Sequence, residues 1–293
     1  MTVQAPPAHA ATPPKQKGRL FLGLGVLVAF IVVYGLSLFG FHLLGESAAP
    51  LKAPDLNAAD DTVVLIRIDE LKTVANRLGV KVLVYPQEAM WDPRLDVLKQ
   101  DTAVRMDPPN DLGDLAYPAG KSPAQVATTV EAHGDPEIWP FDSYETDTLS
   151  ADVLVGSGDD RKYKPARVEV AGKLEGWDVA VQRVGEGGDS AIITLQRSKA
   201  PLIFDLGICL VLFALAAMAL AVVIPMATGK RKLVPPFGGW FAALLFAVIP
   251  IRNFLPGAPP PGAWIDQALV IWVLIALVAA MVMYMRAWYT RSD

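Results

Sequence analysis

PIRNFLPGAPPPGAWID, residues 250–266, separates two apolar runs. GGWFAALLFAVIPI (238–251) leads into it and QALVIWVLIALVAAMVMYM (267–285) follows, neither with a Lys, Arg, Asp or Glu. Between them stand Arg252, then Pro256, Gly257, Pro259, Pro260, Pro261 and Gly262, then Trp264 and Asp266. Proline fixes φ and glycine permits turns, so the stretch reads as a short, stiff hairpin. Trp264 has the amphipathic ring favoured at a membrane–water interface.

Two more apolar runs lie further out. LFLGLGVLVAFIVVYGLSLFGFHLL (20–44) has no charge, and 202–227 has only Asp205. The chain is 53% hydrophobic over 293 residues, with mean hydropathy +0.35, more apolar than an ordinary soluble domain. A bilayer core of roughly 30 Å needs about 20 apolar residues as helix. Four transmembrane helices are expected: 20–44, 202–227, 237–255 and 267–285. The first run exceeds the 7–15 residues of a secretory signal core and reads as an uncleaved anchor.

Charge sets the expected orientation. Lys15, Lys17 and Arg19 precede the first run, Lys230, Arg231 and Lys232 lie between the second and third, and Arg286 and Arg291 follow the fourth. Basic residues stay on the cytoplasmic side. That puts both termini inside: a disordered Pro/Ala-rich tail at 1–18 and a tail at 286–293. Residues 45–200 and the loop 256–266 are then outside. The segment 45–200 holds 27 of the 30 acidic residues but 17 of the 26 Lys and Arg, about −10 net. This acidity argues against a nucleic-acid partner and against docking on anionic lipid. The expected partners are the lipid bilayer itself and a membrane or envelope protein.

Within 45–200 the pattern is one of strands: 63–68, 80–85, 126–132, 148–155, 166–172, 177–184 and 191–197. In VKVLVY, Val80, Val82 and Val84 point one way. Short β-branched runs separated by Gly, Pro, Asp and Asn suggest a β-sandwich. The overall class is an α+β membrane protein with one helix before the sandwich and three after. Residues 87–100 are ambiguous and can carry a helical turn. The only cysteine, Cys209, lies in the second helix, so the sandwich has no disulfide or thiolate site.

No catalytic constellation, cofactor site or metal site is expected, and no enzyme. His133 with Asp135 and Glu137 reads as a solvated loop rather than a ligand set. GSGDD (156–160) reads as a turn rather than a calcium loop. IWPFDSYETDTL (138–149) is the most structured loop. Trp139, Phe141 and Tyr144 supply apolar area, Pro140 is a candidate cis proline, and Asp142 is suited to capping a turn. The corner either plugs the β core or rests on the membrane helices as a coupling loop. Asp205 and Arg252 are expected to pair at the outer rim, with Asp266 as the competing partner for Arg252.

WPFDSY, EGWDVAV (175–181), ITLQR (193–197) and the opening stretch together resemble a family of actinobacterial and fungal membrane proteins classed under a domain of unknown function. The resemblance spans roughly 60–285. It implies a plasma-membrane protein of the cell envelope and assigns no activity. The expected role is a non-enzymatic interaction or accessory protein using its external sandwich. The alternative is a ligand-sensing or transport-related protein.

Overall fold

The computed structural model describes residues 16–44, 51–56, 61–158, 161–185, 187–233, 237–257 and 259–291. Most of the expected tail, and Asp159 and Asp160 of GSGDD, lie outside these residues. By internal contacts the chain divides into two units, 1–44 and 45–293. In the first, helix α1 (Gln16–Leu44) begins earlier than expected, so residues 16–18 are helical rather than tail. Its apolar side chains from Leu27 to Leu43 are exposed.

The second unit opens with a β-rich domain. Its strands are β1 (Val63–Lys72), β2 (Arg77–Tyr85), β3 (Trp91–Asp92), β4 (Val97–Leu98), β5 (Thr102–Asp107), β6 (Leu115–Tyr117) and β7 (Val126–Glu131). They continue with β8 (His133–Gly134), β9 (Ser143–Glu145), β10 (Ser150–Val155), β11 (Lys162–Ala171), β12 (Trp177–Val184) and β13 (Ser190–Arg197). Seven make one sheet in the order β6-β5-β10-β11-β1-β2-β7 and four make another in the order β12-β13-β9-β8. Strands β3 and β4 form a separate small hairpin. The pairing of β1 with β11 is parallel, which makes the large sheet mixed.

Alternation places one face of each strand inward. Val64 and Ile66 of β1 and Val80, Val82 and Val84 of β2 share a single buried cluster with Tyr144, Trp177, Ile193 and Leu195 of the smaller sheet. The two sheets therefore close over one core. All seven sequence-read strands form. The ambiguous stretch 87–100 holds a 3-10 turn at Glu88–Met90 followed by the β3–β4 hairpin.

Three helices follow: α2 (Lys199–Ala227), α3 (Phe237–Asn253) and α4 (Ile271–Arg291), the last preceded by a π-helical turn, Asp266–Val270. On α2 the buried apolar side chains are Leu212, Ala216, Ala219, Val223 and Met226, a stripe three and four residues apart that meets Phe241, Val248 and Leu277. Ala216 and Ala219 lie in the contact, while Ala214, Ala217 and Ala221 face outward. Helix α3 stops at Asn253, not 255, and α4 runs through Arg291, so 286–291 are helical rather than tail. Residues 201–227 and 266–291 are long and apolar enough to cross a membrane; 27–43 and 237–253 are shorter apolar helices.

The two ends of this bundle differ. At one end Arg291 donates to the Met226 and Ala227 carbonyls, 2.7 and 2.8 Å away, closing the last turn of α2. Lys230, Arg231 and Lys232 line the same depression as Arg291. At the other end the hairpin between α3 and α4 meets the β-rich domain.

Candidate functional site: the junction of the WPF corner and the hairpin

The corner is built locally. The Asp135 carboxylate accepts from the Glu137 N–H at 2.9 Å and caps a 3-10 turn, Pro136–Ile138. The Trp139–Pro140 bond is cis. Strand β9 then starts at Ser143. Trp139 and Tyr144 are both buried, but in different places. Tyr144 lies in the β core, edge-on to Trp177 with centroids 5.5 Å apart. Trp139 packs with Leu255, Ala263 and Ile265 of the hairpin. Its indole N–H donates to the Pro256 carbonyl at 3.2 Å. Phe141 is exposed and stacks on Trp264, with centroids 6.4 Å apart and planes 24° from parallel. The corner thus plugs the β core through one residue and rests on the helical part through others.

Asp142 does not cap a turn. It is buried and takes a forked pair of hydrogen bonds from Arg197, the last residue of β13. A bidentate guanidinium satisfies a buried carboxylate better than any single donor. The same guanidinium lies over the Trp177 ring, 4.6 Å from its centroid, a cation–π arrangement. It also abuts Gly257, whose φ is +74°; a Cβ there would run into the Arg197 guanidinium. Arg197 therefore joins the corner, the smaller sheet and the hairpin. Burial, with the Asp142 charge adding, holds the Tyr144 phenol above its ordinary pKa.

The expected Asp205–Arg252 pair does not form. The Arg252 guanidinium is taken by Asp266, with Nε to Oδ1 at 2.9 Å and Nη2 to Oδ2 at 2.7 Å, and Nη2 also reaches the Pro260 carbonyl at 3.1 Å. The Gly262 N–H donates to Asp266 Oδ2 at 3.0 Å. The reason is chain geometry. The two residues stand at either foot of one short hairpin, where folding of that loop alone brings them together. Asp205 sits on a different helix. It is 3% exposed, and its Oδ1 has no hydrogen-bond partner. The cation whose charge reaches it is Arg197, already paired with Asp142.

His133 meets neither Asp135 nor Glu137; its Nε2 lies 3.4 Å from Asp147 on an exposed surface. Among the described residues no group of three His, Cys, Asp or Glu is arranged to hold a metal ion. Away from the junction, Glu169 is buried between Arg167 (2.7 Å) and Arg183 (2.5 Å) on the β domain.

Sequence reading passes over Arg197, Leu255 and Ile265 as site residues and sees Gly257 only as a turn residue, which its φ of +74° fits, not as a contact of Arg197. Arg197 ends the ITLQR motif, but nothing in its neighbourhood points to Asp142, 55 positions away.

Together these features define an α+β protein in which a β-rich domain is joined to a helical bundle through a buried aromatic corner. Residues 52–195 match a family described as a domain of unknown function, DUF4436, and residues 197–291 match a second, DUF8686. Two domains of unknown function thus cover most of the chain, and the boundary between them falls at the end of β13. No curated protein matches the chain. Trp139 belongs to the first matched region and Pro256 to the second, so the junction joins the two.

Proposed function

We propose that this is an integral plasma-membrane protein of the cell envelope, non-enzymatic, whose external β domain is an interaction surface held at a fixed attitude on its membrane helices. The observation that carries the reading is the polarity of the bundle. Its basic end gathers Lys230, Arg231, Lys232 and Arg291, as the cytoplasmic end of a membrane bundle does. Its other end carries an acidic β domain and the exposed Trp264, the kind of amphipathic ring that lies at a membrane–water interface. Between the ends, Leu206, Leu210, Phe213, Phe246, Trp272 and Ile275 expose apolar surface far beyond what a water-soluble bundle sustains. Helix α1, the bundle and the topology with both termini inside are read together as four spans. The ordered junction suits an accessory subunit, because a surface fixed in angle presents the same face to a partner.

The test is purification of the full chain from native membranes in mild detergent, after cross-linking in intact cells. A partner protein recovered at fixed stoichiometry, and lost when the outer face of the β domain is altered, is the expected result. Recovery of the protein alone would contradict the accessory reading.

A further inference from the structure

The basic end of the helical bundle holds a depression of about 500 Å³, lined by Gly229, Lys230, Arg231, Lys232, Leu233 and Arg291. Four of these are cations and none is an acid. One cation is held in place. Arg291 donates to the Met226 and Ala227 carbonyls, so the negative end of the α2 dipole is already answered. A guanidinium carries five N–H donors, and these two bonds leave others over. Gly229, at φ +78°, lets the guanidinium lie close to the loop; a Cβ there would stand 3.3 Å from Nη2.

The other cations lack counter-charge. Among the described residues, Lys230, Arg231 and Lys232 form no ion pair. Beyond residues 45–200 the sequence has three acids, Asp205, Asp266 and Asp293. Asp293 lies outside the described residues. Asp205 and Asp266 stand more than twenty residues before the ends of α2 and α4, about 30 Å or more at 1.5 Å per residue, and Asp266 is paired with Arg252. The charge of the depression is therefore left for an anion from outside the chain.

Its surroundings say which anion. Trp288 and Tyr289, just before Arg291 on α4, are exposed, and such rings mark the level of the headgroups. Leu233 lines the depression and packs on the bundle core, giving it an apolar edge. A soluble phosphate ester would share the charge chemistry but would gain nothing from that edge. A zwitterionic headgroup would bring an ammonium that the lysines repel.

We propose that this depression binds the phosphate of an anionic phospholipid headgroup, with Arg291 as the fixed donor and Lys230, Arg231 and Lys232 as the surrounding charge. Basic hollows between membrane helices hold anionic headgroups in this way. The proposal rests on the reading of α2 and α4 as membrane spans and is independent of any partner of the β domain.

The test begins with an alkaline carbonate wash of native membranes. A chain that washes off does not span the membrane, which overturns that reading and this proposal together. The retained full chain is purified in a non-ionic detergent, and helix unfolding is followed against phosphatidylglycerol, phosphatidylcholine and glycerol 3-phosphate. Phosphatidylglycerol should raise the midpoint saturably, at an affinity at least tenfold above the other two, and the preference should shrink as salt is added. Lys230→Gln with Lys232→Gln should weaken the effect by about tenfold or more. Lys162→Gln with Lys164→Gln, both exposed on β11, should leave it unchanged. The ligand comparison on the unaltered chain decides the matter should the first variant fail to fold. Glycerol 3-phosphate binding as tightly as phosphatidylglycerol would overturn the lipid assignment in favour of a soluble phosphate. Equal affinity for phosphatidylcholine, or undiminished phosphatidylglycerol binding without Lys230 and Lys232, would overturn the proposal and leave the spans standing.

Discussion

Trp139 and Pro256 stand 117 positions apart, yet the indole N–H of the first donates to the carbonyl of the second at 3.2 Å. Around that bond Leu255, Ala263 and Ile265 close off the indole. The residues that pack Trp139 are not those of the β core, which has its own cluster. The junction is therefore a separate cooperative contact between two parts that each have a core.

Truncating Trp139 should divide unfolding into two steps. Large-to-small changes of a buried Trp cost about 3–5 kcal/mol. Here that cost falls on the junction, so Trp139→Ala should give a β domain that melts apart from the helices, with faster proteolysis near Lys199. Trp139→Phe keeps most of the area and leaves a carbonyl without its donor, a loss of about 1–3 kcal/mol. Thermal unfolding followed separately by tryptophan fluorescence and helical circular dichroism measures both.

Gly257 offers a matched comparison. Gly257 and Gly113 have nearly the same φ, +74° and +72°, but a Cβ at Gly113 meets nothing within 4 Å. Gly113→Ala should cost only the left-handed strain, about 1–2 kcal/mol. Gly257→Ala must also push Arg197 away from Asp142 and Trp177, and should be clearly more destabilising. Equal losses in denaturant melts would show that the Arg197 contact contributes nothing.

Arg252 and Asp266 should be energetically coupled, and Arg252 and Asp205 should not. Breaking a largely buried pair by removing one partner costs about 3–5 kcal/mol. In a double-mutant cycle, Arg252→Ala with Asp266→Ala should show coupling above about 1 kcal/mol, while Arg252→Ala with Asp205→Asn should be additive within about 0.5 kcal/mol. The reverse ranking would restore the Asp205 pairing.

Alkaline pH should weaken the β domain through Tyr144. Its pKa is raised in the folded chain, chiefly by burial. The stabilisation is fully present below the unfolded value near 10 and is lost as pH rises through the higher folded value. The Tyr144 hydroxyl is buried without a well-formed hydrogen bond, so Tyr144→Phe should be close to neutral at pH 7 and should move the alkaline unfolding midpoint upward. Tyr117 is also held high by burial, but it donates to the Val82 carbonyl at 2.9 Å. Tyr117→Phe should therefore cost about 1 kcal/mol at neutral pH. Unfolding monitored against pH for both variants checks this.

Period and composition were enough to read the long strands. Val80, Val82 and Val84 alternate in sequence and are all buried in the structure. Strand β5 escaped notice because Arg105 and Asp107 interrupt its apolar run, and its strand state depends on pairing with β10. Strands β8 and β9 are two and three residues long, too short for any period to register. The corner was legible as a special place, since cis-prone Trp-Pro and three aromatic residues mark it. Its partners were not: Asp142 meets Arg197 through the register of β9 on β13, and Trp139 meets Pro256 through the packing of the corner on the hairpin. Arg252 shows the same limit, because a charge in sequence does not say which of two acids will reach it.

The most direct test of the account is the contact between Phe141 and Trp264 on the outer side of an intact membrane. Both side chains are exposed and stacked on each other. With Cys209 replaced by Ala, Phe141→Cys and Trp264→Cys should be joined by a short, membrane-impermeant bis-maleimide added to intact cells, while pairing Phe141→Cys with a cysteine at Lys230 should give no product. Efficient labelling of each single cysteine without any cross-link between 141 and 264 would contradict a β domain fixed to the hairpin, and failure of the impermeant reagent to reach either position would contradict its placement outside.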